Sequence, residues 1–114
     1  MASVAKVKSY CLALPGATHD VKWGKDHCYS VGGKMFAVVG PDGSMSFKVY
    51  DARFLELTDQ PNMIAAPYMA KHKWVLVQDL KKADEGAVRA LVKRSHELIV
   101  AKLSKKLQRE IAGN

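Results

Sequence analysis

Apolar positions recur along this chain with two different periods, and the change from one to the other divides it into helices and strands. Val4, Val7, Tyr10, Cys11 and Leu14 fall near one face of a helix expected over residues 3–13, with Ser3 as its N-cap and Lys6 and Lys8 facing outward. Leu14-Pro15-Gly16 ends it, because proline disfavours a helical residue before it and glycine lets the chain turn. Ala17 to Asp20 then lead into Val21-Lys22-Trp23-Gly24-Lys25. From His27 the period becomes two. His27–Val31 and Lys34–Val39 read as strands joined by Gly32-Gly33, a hairpin signal because both positions accept φ > 0. Gly40-Pro41-Asp42-Gly43 is a second turn, after which Met45, Phe47 and Val49 alternate with Ser46 and Lys48. Lys34–Val39 is apolar on both faces and belongs in the middle of the sheet.

The helical period returns at Asp51–Leu57, a short helix with Asp51 as its cap, broken by Asp59-Gln60-Pro61-Asn62. Met63-Ile64 lead into Ala66-Pro67-Tyr68, a rigid turn, and Trp74–Val77 form a fourth strand of bulky, β-branched residues. From Asp84 or Glu85 onward Val88, Leu91, Val92, Ser95, Leu98, Ile99 and Leu103 repeat at helical spacing. Lys102 and Lys106 fall near that stripe, so the helix is expected to run past the sheet near residue 102 with a basic, partly apolar end. Ser95 lies on the stripe and is expected to bond back to a carbonyl one turn earlier. The pattern is that of one α+β domain spanning residues 1–114, with no linker, repeat or low-complexity segment.

Charge adds the next constraint. Eighteen Lys and Arg stand against eleven Asp and Glu, a net +7, and residues 81–114 hold nine of those bases against four acids. Such a field attracts polyanions: nucleic acid, anionic membrane or acidic protein. No apolar run approaches the ~20 residues of a membrane span, and Met1–Lys6 lack the apolar run of a signal peptide. Cys11 and Cys28 are therefore expected as buried free thiols in the cytoplasm.

Little in the sequence points to catalysis. Gly32-Gly33 lacks the spaced glycines and lysine of a phosphate loop. His19, His27, His72 and His96 are scattered without ligand spacing, and His27 and Cys28 point to opposite faces of a strand, so no metal site or cofactor is expected. Two groups of basic residues interleaved with aromatics remain, Lys22-Trp23-Gly24-Lys25 and Tyr68 to Trp74. Lysines neutralise phosphates, and aromatic rings meet bases. Trp74, opening a core strand, reads better as a core anchor, whereas Trp23 fits a contact or a core role equally well.

In order along nearly the whole chain, Leu14-Pro15-Gly16, Lys22-Trp23-Gly24, Val31-Gly32-Gly33-Lys34-Met35-Phe36, Phe47-Lys48-Val49, Ala66-Pro67-Tyr68, His72-Lys73-Trp74-Val75 and Arg94-Ser95-His96-Glu97-Leu98 resemble the motifs of the MmcQ/YjbR-like domains. Lys73 departs from them, at a position that is often small in the family. The resemblance implies a frataxin-like (CyaY-like) fold, a twisted antiparallel sheet of about four to five strands with the N- and C-terminal helices packed on one face. It also implies DNA binding through a "double wing" of hairpins. Iron binding, the other property of frataxin-like proteins, is disfavoured because residues 1–19 carry no Asp or Glu.

The expectation is a non-enzymatic DNA-binding or DNA-associated domain without catalytic residues. Its phosphate contacts would come from Lys22, Lys25, Lys34, Lys48, Lys71 and Lys73, with Trp23 and His72 beside them and the turns at Gly32-Gly33 and Asp42-Gly43 as wings. The alternative is an adaptor that takes a protein or small ligand in a groove at Trp23, Tyr68, His72 and Trp74, with no membrane partner in either case.

Overall fold

The computed structural model describes residues 2–67 and 69–113. Its elements run α1 (Val4–Ala13), β1 (Ala17–Lys22), β2 (Asp26–Val31), β3 (Lys34–Val39), β4 (Met45–Lys48), α2 (Asp51–Thr58), β5 (Met63–Ala65), β6 (Trp74–Val77), α3 (Glu85–Val100) and α4 (Lys105–Ala112). The six strands form one antiparallel sheet in the order β1-β2-β3-β4-β6-β5. This is the expected α+β architecture with two more strands than the pattern of apolar residues revealed. β1 escapes notice because five of its six residues are exposed and give no alternation. β5, three residues long, is too short to show a period.

Pairing register decides which residues share a face. The rows Tyr29–Ala37–Phe47–Val75 and Val39–Met45–Val77 point to the same side. There they join Val7 and Cys11 of α1, Leu57 of α2, and Val88, Val92 and Ile99 of α3 in one buried cluster. A bulge opposite Tyr29/Ser30 inserts Phe36 as an extra residue in β3, so Phe36 and Ala37 are both fully buried. β3 lies inside the sheet between β2 and β4, as its two-sided apolar sequence requires. The thiols of Cys11 and Cys28 are free and buried, and burial pushes Cys11 up to about 12.

Two polar side chains of α3 are buried with this cluster, and both are bonded. Ser95 does not bond back along its own helix. Its hydroxyl donates to the Phe36 carbonyl at 2.7 Å and accepts from the Lys48 backbone N–H at 3.0 Å. The bulge beside Phe36 leaves that carbonyl free for a partner outside the sheet. His96 Nε2 lies 2.7 Å from the Pro15 carbonyl, and its ring meets Phe36 edge-on.

The expected single C-terminal helix is interrupted. α3 ends at Val100, Leu103 turns inward to 8% exposure, and Ser104 caps α4 by accepting from the Leu107 N–H. Leu103 stands four residues after Ile99, so the helical stripe passes through the break without showing it. The chain does not run on beyond the sheet; α4 folds back until Ile111 meets Gly16. Gly32 marks the other side of this corner: it has φ +57, and a Cβ there would lie 2.6 Å from Leu103. At α2, Asp51 is the first helical residue rather than the cap, and Tyr50 occupies the cap position without a side-chain bond.

Replacing Ser95 by alanine strands a buried carbonyl and an N–H together. The expected loss is about 2–4 kcal/mol of unfolding free energy, read from urea denaturation. A loss below ~0.5 kcal/mol would show that the hydroxyl bridge is dispensable.

Candidate nucleic-acid interface

In an antiparallel sheet consecutive turns alternate between the two ends of the strands, and this separates the expected contact residues. Lys22 ends β1 and Trp23 and Lys25 lie in the β1–β2 turn, at the same end as the Gly40–Gly43 turn. Lys34 follows the β2–β3 turn at the opposite end, where Lys48 closes β4 opposite Trp74, the first residue of β6. Lys71, His72 and Lys73 immediately precede Trp74 and belong to that second end. Six-residue strands hold the two groups roughly 20 Å apart. The Gly32-Gly33 and Asp42-Gly43 turns, expected to act together as wings, likewise stand at opposite ends of β3.

The two tryptophans also part company. Trp74 is 4% exposed and is part of the fold. Trp23 is 69% exposed and sits at φ +51, a left-handed conformation rare for a bulky residue. With Gly24 at φ +87 it forms the tight turn between two strands. Glycine or asparagine fill such a position at lower conformational cost, and the indole gains no core contact in return. The groove expected from Trp23, His72 and Trp74 does not form, since its members lie at opposite ends and Trp74 is buried. Tyr68, its fourth member, lies outside the described residues.

Beside the Trp23 turn opens a cleft of about 590 Å³ between α1, the β1–β2 turn and the β3–β4 turn. Lys8, Lys25 and Lys81 line it together with His27. Lys8 and Lys81 are ordinary surface lysines in the sequence; only the fold brings them to Lys25. Asp42 contributes one carboxylate, held below the usual range by hydrogen bonds from the Ser44 hydroxyl and backbone N–H. His27 Nδ1 lies 2.8 Å from His19 Nε2, and the two rings stack at 5.0 Å. Among the described residues no group of three or more His, Cys, Asp and Glu could hold a metal ion, and no helix is long and apolar enough to cross a membrane.

At the other end Lys48 Nζ donates to the His72 carbonyl at 2.6 Å, and its ammonium shares that region with those of Lys102 and Lys73. Lys73 stands over the Phe54 ring at 5.0 Å and closes its turn in a left-handed conformation, at φ +61.

The six-stranded open antiparallel sheet and its helices make this a small α+β domain. Residues 12–98 match the YjbR family, and the chain belongs to it. Among solved structures, a Deinococcus radiodurans protein, DR2400, with a DUF419 domain, is similar at 22% identity and a TM-score of 0.86, over 98% of this chain and 89% of that one. A Pseudomonas syringae protein is similar at 18% identity and a TM-score of 0.68, over 82% of this chain and 96% of that one. At these identities the likeness is one of fold. No curated protein gives a significant match.

The histidine pair makes a pH prediction. Burial lowers the His27 pKa from its ordinary 6.5, helped by the Lys8 and His19 charges. The unfolded chain then binds the extra proton first, so this contribution to stability is complete above pH 6.5 and drains away as the pH falls through the lower folded value. Urea midpoints should drop between pH 7.5 and pH 5, and His27→Gln should flatten the dependence. An unchanged slope in that variant would assign the pH effect to other groups.

Proposed function

We propose that this protein is a cytoplasmic, non-enzymatic DNA-binding domain that holds a single-stranded or locally unpaired segment at the Trp23 end of its sheet. One observation carries the reading: a mostly exposed tryptophan is held in a costly left-handed backbone between Lys22 and Lys25, with Lys8 and Lys81 across the adjoining cleft. An indole face accepts any base, because every base has a π-face, while the ammonium groups take backbone phosphates. The net charge of +7 draws a polyanion from a distance. Three side chains that could act as nucleophiles are engaged otherwise: Ser95 is bonded in the core, and burial raises the Cys11 and Cys28 thiols.

Four lysines on four phosphates give a slope of about −3 in log K against log salt for a single strand. Stacking on Trp23 contributes roughly 1–3 kcal/mol. Titrating an oligothymidine should therefore quench the exposed Trp23, and Trp23→Gly should weaken binding at least fivefold while leaving thermal stability equal or raised, since glycine accepts the left-handed turn. Binding that is insensitive to salt, or unaffected by Trp23→Gly, would refute this interface. Tighter binding of duplex than of single strands would show that base stacking is not its basis.

A further inference from the structure

α2 and α3 do not close fully on each other. Between them lies a cleft of about 220 Å³ at the sheet end opposite Trp23, with Lys48, Arg53 and Arg94 on its walls and Val49 and Leu91 supplying apolar surface. Arg53 Nε is buried without a hydrogen bond, and Glu56 lies 3.3 Å away in ion-pair contact only. Arg94 lies over the Tyr50 ring, 5.5 Å from its centre, and one of its nitrogens is 3.3 Å from Glu97. Lys48 gives one of its ammonium donors to the His72 carbonyl. Burial, with the neighbouring Lys102 and Lys73 ammoniums, pushes its pKa below the ordinary lysine range against the opposing pull of the Asp51 carboxylate. Positive charge has thus been gathered into a partly enclosed site and is only partly compensated by the surrounding carboxylates.

We infer that this cleft binds a small organic anion, a carboxylate or phosphate ester carrying a compact aromatic or branched apolar body. The anionic group would lie between Lys48, Arg53 and Arg94, where guanidinium donors match two oxygens at once. The apolar body would rest on Val49 and Leu91 beside Tyr50. The volume falls below the ~300 Å³ at which drug-sized sites begin, which favours a body of about one ring over a polymer. Nothing in this inference depends on the Trp23 surface.

The probes are phenyl phosphate, benzoate and inorganic phosphate, each titrated into isotope-labelled protein while backbone amide shifts are followed. At least one aryl anion should shift the amides of residues 49–53 and 90–94 saturably, with inorganic phosphate at least tenfold weaker. Arg53→Gln should weaken that binding at least fivefold, as should Arg94→Gln, whose exposed side chain leaves the fold intact; Trp23→Gly should leave it unchanged. Failure of both aryl anions to saturate by roughly 10 mM would overturn the inference. So would equal binding of inorganic phosphate, or shifts that survive both arginine substitutions.

Discussion

The buried Ser95 hydroxyl joins the long helix to two strands at once, and much of the surface takes its place from that junction. By bonding to Phe36 of β3 and Lys48 of β4, it fixes α3 over the middle of the sheet and sets its rotation. His96, one residue on, ties the same turn to the Pro15 carbonyl and so to the bend between α1 and β1. With α3 held there, Leu103 meets Gly32, α4 folds back onto Gly16, and α2 is left beside α3 with a basic cleft between them.

Strand alternation imposes the second constraint. The basic residues that read as one constellation in the sequence are delivered to two ends of a sheet, and the two groups differ in kind. At one end lysines surround an exposed aromatic held in a strained turn, a combination suited to a flexible polyanion with bases to stack. At the other end, lysines and arginines crowd around a narrow crevice with an apolar lining, which suits a compact anion. A single contact surface covering both would need a ligand that bends around the sheet edge.

What the sequence disclosed was set by where periodicity survives. The hairpin at Gly32-Gly33 was legible because both glycines take the positive φ that the turn demands. β3, with its two-sided apolar run, and the stripe of α3 were legible because burial imposes a period. β1 was not, since exposed positions carry no pattern, and the break at Ala101–Ser104 was hidden because Leu103 keeps helical spacing while turning inward. The Arg94-Ser95-His96 motif is explained by architecture: Ser95 and His96 act as ties to the sheet and the first turn. Lys8 and Lys81 had no local signal that could join them to Lys25, since tertiary packing alone brings them together. For Trp23 the deciding information was backbone conformation and exposure, neither of which residue type reveals.

Ultraviolet crosslinking of a bound oligothymidine, followed by mass spectrometry of the peptides, tests the proposal that nucleic acid meets the Trp23 end of the sheet. The adduct should fall on Trp23 or its immediate neighbours and be lost in Trp23→Gly. Adducts confined to peptides carrying Lys34 or Lys71–Lys73 would place the nucleic acid at the opposite end and contradict it.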